Sequence, residues 1–322
     1  MMKALALVAE DMGRVEAAFR ANLNSSIDLV RDVGDYILAS GGKRVRPLLL
    51  LLCARLTGYA GDQHIPLGVV VEYIHTASLL HDDVVDGAHL RRGRPAANAV
   101  WGNEEAVLCG DFLYAEAYRL MVRVGNLQVL DLLAEATGLM AEGELLQLRN
   151  TCDLDLTEER YLEVVRGKTA VLIAGCCQAA GLLAGVDAAQ EAALREFGLL
   201  VGTAFQLLDD ALDYVAVDAG FGKTRGQDLR EGKMTLPLIV TLANCTAAER
   251  AEVARILQAD ALPATDLEQI CALIDRYDGV GITRTRAAQM VAQAKEQLQV
   301  FADGVARQAL CELADYVVVR GK

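Results

Sequence analysis

The chain has 322 residues, 53% of them hydrophobic but only 5% aromatic, with 5 prolines. That length bounds it to one or two domains around a sizeable core, and an Ala-, Leu- and Val-rich composition with little two-residue alternation points to an all-helical protein. A net charge of −13 and a pI of about 4.8 argue against nucleic acid as a partner and weaken attraction to anionic lipid.

The first helix is expected over 4–38 and opens on MMKALALVAEDMGRVEAAFR. Glu10 and Asp11 break its apolar stretch too early for a secretory leader, so it reads as an amphipathic helix. Further helices are expected over 43–58, 65–85, 100–123, 127–150, 157–167, 169–184, 188–215, 233–243, 247–259, 266–276 and 280–318. Their ends fall at SGGKR, TGYAGDQHIP, DGAHLRRGRP and AGFGKTRGQD. With no Pro- or Gly/Ser-rich linker between them, residues 1–322 read as one domain. The longest uncharged run, Thr169–Val186, has 18 residues, the threshold for a membrane span, but it carries Gln178 and glycines and has no counterpart, so it reads as a core helix. The 8 cysteines are scattered without a CxxC, as expected of buried, reduced thiols in a cytoplasmic protein.

Charge collects in loops and at helix ends. Near the end of the third helix, SLLHDDVVDG places Asp82 and Asp86 four apart, on one helical face, with Asp83 between them. The spacing recurs in AFQLLDDALDY, at Asp209, Asp210 and Asp213. Paired carboxylates on two separate helices suit hard, oxygen-ligated Mg²⁺. Basic loops accompany them: Lys43, Arg44 and Arg46 in SGGKRVRP, Arg91, Arg92 and Arg94 in HLRRGRP, Lys168 beside Thr169 in RGKT, and Lys223 and Lys233 in GKTRGQDLREGK. In an acidic chain, four such loops around two acidic motifs point to diphosphates neutralised jointly by Mg²⁺ and Lys/Arg.

Together the stretches GGKRVRP, EYIHTASLLHDDVVDGAHLRRGRPAANAVWGN, VLCGDFLY, AEGELLQL, GKTAVLI, FQLLDDALDY and GKTRGQDLREGKMTLPLI, spanning 41 to 240, resemble the trans-polyprenyl diphosphate synthases, and among them the long-chain, octaprenyl-type bacterial enzymes. The resemblance implies the all-α isoprenoid synthase fold, with antiparallel helices around a central cavity, and a cytoplasmic homodimer. It implies that Asp82, Asp83, Asp86, Asp209, Asp210 and Asp213 hold Mg²⁺, three ions per active site with Mn²⁺ able to substitute. By the same analogy Arg91, Lys168, Lys223 and Lys233 grip an allylic prenyl diphosphate such as farnesyl diphosphate. Lys43, Arg46, His75 and Arg92 would bind isopentenyl diphosphate, and Thr169 and Gln206 would stabilise the allylic cation. No transmembrane segment is expected, and release of a long apolar product would involve peripheral membrane contact.

Chain length is read from Ala77 and Ser78, one turn before Asp82. In this family bulky aromatics there stop elongation, so small side chains imply a product longer than C20, about C40, with Val71, Ile74, Tyr118 and Met121 along the depth of the tunnel. A synthase of shorter product and a non-catalytic partner subunit of a heteromeric synthase are the alternatives. A di-iron bundle is excluded: it needs two ExxH motifs, and only Glu72–His75 supplies one. A terpene cyclase fits poorly, because the second diphosphate loop with Lys43, Arg46 and Arg92 is intact.

Overall fold

Long runs of Leu, Ala and Val free of proline satisfy their backbone groups as helices, and the chain is helical almost throughout. The computed structural model describes residues 2–23, 25–39, 44–91, 93–215, 225–259 and 262–319. Three of the cations singled out in the sequence, Lys43, Arg92 and Lys223, lie outside the described residues. Among the described residues the only sheet is a two-stranded hairpin. The chain divides into two compact units, the first comprising Met1–Thr137, Leu172–Arg195 and Leu298–Glu312, the second Gly138–Val171, Glu196–Gln297 and Leu313–Lys322.

In the first unit, the single helix expected over 4–38 is three: α1 (Met2–Leu7), α2 (Ala9–Asn22) and α3 (Asp28–Ala39). Side chains compete for the backbone at the break. Asn22 Nδ2 donates back to Ala18 O, and Ser25 Oγ accepts from Ile27 N at 3.1 Å. Next come α4 (Val45–Leu56), α5 (His64–Val85), β1 (Leu90–Arg91), β2 (Arg94–Pro95), α6 (Ala97–Trp101) and α7 (Asn103–Val124).

Helix α5 is apolar on nearly every side, because α2, α4 and α7 all pack on it. Leu67, Val69, Val70, Val71, Tyr73, Ile74 and Ala77 are at most 1% exposed. Each large apolar side chain so buried contributes roughly 1.5–3 kcal/mol. Tyr73 finds a partner for its hydroxyl by donating to Phe19 O at 2.7 Å. The helix that carries the first acidic motif is therefore fixed by its neighbours. Within its apolar run, Glu72 is 4% exposed and accepts from Arg44 Nη1 at 2.8 Å, so Arg44 belongs to the interior rather than to an anion loop.

The second half of the chain runs through α8 (Leu127–Arg149), α9 (Glu158–Val165), α10 (Val171–Ala184), α11 (Ala188–Asp213), α12 (Gln227–Arg230), α13 (Leu236–Asn244), α14 (Ala247–Leu257), α15 (Ala264–Arg276), α16 (Gly279–Gln297) and α17 (Val305–Val319). The break expected at 168 is instead a π-helical turn, Arg166–Ala170, that joins α9 to α10. A close crossing within the second unit falls at this turn. A Cβ on Gly143 would lie 2.4 Å from Lys168 N and 2.9 Å from Gly167 C, so only glycine lets α8 approach this backbone. A π turn inserts one residue into the helical ladder and turns Lys168 and Thr169 away from the register they would otherwise hold.

The helix expected over 280–318 ends at α16 and restarts as α17 after Asp303-Gly304, where Asp303 Oδ1 accepts from Gly304 N at 3.0 Å. All 8 cysteines are free thiols; Cys53, Cys109, Cys176, Cys177 and Cys271 are buried, while Cys152, Cys245 and Cys311 are half-buried. The continuous helix Glu158–Ala184 is long and apolar enough to cross a membrane, but 61% of its most apolar window is buried inside the protein.

Candidate active site

In the first unit, α5 presents a polar face at its C-terminal end. His75, Ser78, Asp82 and Asp86 follow one another at three- and four-residue steps, and all are half-buried. Ser78 Oγ donates to His75 O at 2.8 Å. Ala77, by contrast, is fully buried, with Val71, Ile74 and Met121 at most 1% exposed. Tyr118 does not join them. It is 38% exposed, on the α7 face that also carries Leu108 and Val122.

Asp83 is turned away from Asp82 and Asp86 and is 2% exposed. Both its oxygens accept from Arg91 Nε at 2.7 Å, and Arg91 Nη2 reaches Oδ1 at 2.6 Å. Arg91 is delivered by the hairpin, where Arg91 pairs with Arg94 and Gly93 makes the turn at φ +77°. Tyr36 OH donates to Pro95 O at 2.7 Å and ties the hairpin to α3. A shallow pocket lined by Tyr36, Ile37, Thr76, Leu79, Leu80 and Pro95 lies over the ion pair.

In the second unit a pocket gathers Lys168, Thr169, Gln206, Asp210 and Lys233, all expected from the sequence, together with Tyr161 and Asp228. Thr169 Oγ1 donates to Gln206 Oε1 at 3.0 Å, and Gln206 Nε2 donates to Asp210 Oδ1 at 2.7 Å. Tyr161 OH donates to Asp210 Oδ2 at 2.5 Å. Anchoring the amide nitrogen on Asp210 fixes which end of Gln206 faces Thr169. Lys168 Nζ lies 2.5 Å from Glu144 Oε2 and 3.4 Å from Gln147 Oε1. An ammonium has three donors, so one remains for a ligand.

Asp209 and Asp213, four residues apart on one face of α11, are half-buried, while Asp210 is 6% exposed. Burial pushes the Asp210 carboxyl up to about 6, against the opposing hydrogen bonds from Tyr161 and Gln206. Asp228, next to Lys233 in the sequence loop, is also raised well above the carboxylate range, first by burial and then by Asp210 and Asp213. Its backbone N–H donates to Asp213 Oδ2 at 3.0 Å, and Gly226 N donates to Asp213 O at 2.9 Å, so the segment after α11 wraps the last aspartate. Arg225 fastens that segment by donating to Tyr214 O and to both oxygens of Asp275.

Glu144, Gln147, Tyr161, Asp228 and Arg225 were not assigned from sequence. Asp228 had a signal, since it sits inside GKTRGQDLREGK; Tyr161 had none. Among the described residues no three His, Cys, Asp or Glu side chains converge into a ready-made metal cage. The half-exposed pairs Asp82/Asp86 and Asp209/Asp213 nevertheless fit Mg²⁺, which takes one or two carboxylates, keeps waters and shares substrate phosphates.

The family model for polyprenyl synthetase matches residues 27–274, and the chain belongs to that family. It is 43% identical over 316 residues to octaprenyl diphosphate synthase of Escherichia coli (strain K12), covering 98% of each chain. Its fold matches a decaprenyl diphosphate synthase from Rhodobacter capsulatus with TM-score 0.95 and 42% identity, over 99% of this chain and 98% of that one. It matches equally, at TM-score 0.95 and 41% identity with the same coverage, a polyprenyl synthase from Caulobacter crescentus CB15 complexed with calcium and isoprenyl diphosphate. These neighbours share the all-helical fold that the composition led us to expect.

Proposed function

We propose that this chain is a Mg²⁺-dependent prenyltransferase that condenses isopentenyl diphosphate head-to-tail onto an allylic diphosphate, making an all-trans polyprenyl diphosphate longer than C20 and about C40. The observation that carries this reading is the pocket in which Lys168, Thr169, Gln206, Asp210 and Lys233 meet. It brings two cations, Lys168 and Lys233, beside an amide and a hydroxyl held in fixed orientation by their hydrogen bonds. The octaprenyl and decaprenyl relatives support the long product, and their coverage of nearly the whole chain supports a single catalytic domain over 1–322.

Asp82 and Asp86, with Asp209 and Asp213, would hold the metal, which supplies neutralisation of the departing diphosphate's charge. Lys168, Lys233, Lys223 and Arg91 bind the same diphosphate. Lys43, Arg46, His75 and Arg92 bind and orient isopentenyl diphosphate, so that its double bond lies in line with the allylic carbon. Thr169 Oγ1 and Gln206 Oε1 place oxygen dipoles beside the developing cation. The proton lost after condensation goes to the released diphosphate, so no side-chain base is required. Val71, Ile74 and the α5 core exclude water, which would otherwise quench the cation to an alcohol.

The chain works as a cytoplasmic homodimer in this reading, the exposed Leu108, Tyr118 and Val122 on α7 supplying an apolar face for the second copy. Product leaves by peripheral contact with membrane. The test is incubation of purified protein with Mg²⁺, labelled isopentenyl diphosphate and farnesyl diphosphate, followed by separation of the dephosphorylated products by length. A ladder ending beyond C20 is expected. No extension would overturn the enzyme assignment, and an endpoint at C15 or C20 would overturn the long-chain one.

A further inference from the structure

Asp213, at the end of α11, is held by the short piece of chain over 225–230. Its carbonyl accepts from Gly226 N at 2.9 Å, and its Oδ2 accepts from Asp228 N at 3.0 Å. The second bond sets the rotation of the carboxylate, so the Asp213 side chain follows the 226–228 backbone. Lys233 N donates to Asp228 O at 2.8 Å, and the same piece therefore also places a cation of the allylic side. A segment this short makes few contacts of its own and depends on an outside anchor.

Arg225 provides the anchor with all three guanidinium nitrogens. Nε donates to Tyr214 O at 2.6 Å, Nη2 to the two oxygens of Asp275 at 2.9 and 2.7 Å, and Nη1 to Glu268 Oε1 at 3.4 Å. Both ends of this clasp are fixed. Tyr214 is fully buried, with its hydroxyl hydrogen-bonded to Thr235 Oγ1 at 2.9 Å. On α15, Asp275 and Glu268 stand on a helix seated by buried Leu267, Ile270, Cys271 and Ile274. Gly226 lies against that helix too: it turns at φ +75°, and a Cβ there would meet Leu267 Cδ1 at 2.7 Å. All of these residues belong to the second unit.

We infer that Arg225 and Asp275 are positioning residues for Asp213, and that through them α15 supports the allylic-diphosphate side of the active site. The inference rests on the proposed function for the role of Asp213. Asp275 is 56% exposed, and an ion pair with one partner so open adds little stability. A planar fork gives direction instead: it ties the backbone of α11 to α15 in one geometry, which a single ammonium could not do.

The test compares full-length variants by two readouts, calorimetric Mn²⁺ titration with inorganic diphosphate present and steady-state KM for each substrate. Arg225→Met should weaken Mn²⁺ binding and raise KM for farnesyl diphosphate roughly 3–10-fold each, the scale of one lost hydrogen bond. KM for isopentenyl diphosphate should stay within about twofold of wild type. Asp275→Ala should move the same two values over the same range, and its exposed site keeps the test open if Arg225→Met does not fold. The double variant should be no worse than Arg225→Met alone, whereas Glu268→Ala, losing one 3.4 Å contact, should stay near wild type. Unchanged Mn²⁺ affinity and farnesyl diphosphate KM in Asp275→Ala would overturn the inference. So would an equal rise in KM for both substrates, effects that multiply in the double variant, or a Glu268→Ala loss as large as that of Asp275→Ala. Wild-type protein that neither binds Mn²⁺ nor extends a substrate would instead overturn the proposed function, and the inference with it.

Discussion

The two acidic motifs have the same spacing and are built differently. On α5 the middle aspartate, Asp83, is neutralised by a full positive charge, Arg91. On α11 the middle aspartate, Asp210, accepts among the described residues from the neutral donors Tyr161 and Gln206, and burial drives its carboxyl up to about 6. In both, the outer aspartates stay half-exposed on one face. One spelling therefore encodes an outer pair of carboxylates and an inner one that holds a neighbouring side chain, a guanidinium in the first case and an amide in the second.

The largest expected effects fall on the outer positions. Asp82→Ala and Asp209→Ala should each lower kcat by roughly a thousandfold, measured with saturating isopentenyl and farnesyl diphosphates. An effect of Gln206→Leu on kcat of roughly 10–100-fold, with little change in substrate KM, would mark the amide as acting on the reacting carbons rather than on a diphosphate. A matching rise in KM would move Gln206 to substrate binding.

A smaller and more specific effect separates Ala77 from Ser78. Ala77 is fully enclosed, so Ala77→Phe should overpack the core at a cost of about 1–3 kcal/mol, visible as a lower melting temperature. Ser78 lies half-buried on the face of Asp82 and His75, so Ser78→Phe should shorten the product with less loss of stability. If Ala77→Phe shortens the product and melts normally, the chain-length reading returns to Ala77.

The inner carboxylates also differ in pH response. Burial penalises ionised Asp210, so the folded chain holds this proton more tightly than the unfolded chain, whose carboxyl titrates near 3.8. This group's contribution to stability is complete below that value and is lost as pH rises through about 6. Metal-free wild type should therefore gain melting temperature relative to Asp210→Asn as pH falls from 7 to 5. Parallel curves for the two proteins would show that Asp210 is not the group responsible.

Much of this was legible in the sequence because it rests on local rules. The four-residue spacing of Asp82 and Asp86, the runs that bury α5, and the glycines and basic residues of the loops all announce themselves within one or two turns. The contacts that decide roles are not local. Tyr161 meets Asp210 across 49 residues, and Arg225 meets Asp275 across 50. The close approach of α8 to the backbone at Lys168 depends on Gly143 in another helix, which no pattern around 168 reveals. Likewise a helix of apolar periodicity over 4–38 gave no sign that Asn22 and Ser25 would take over backbone partners and end it.

The division of each motif into outer ligands and an inner positioning residue is tested most directly by Mn²⁺ titration in the presence of inorganic diphosphate, followed by calorimetry. Asp82→Asn and Asp209→Asn should weaken Mn²⁺ binding tenfold or more, and Asp83→Asn should leave it within about twofold of wild type. Equal losses for Asp82→Asn and Asp83→Asn would contradict the account.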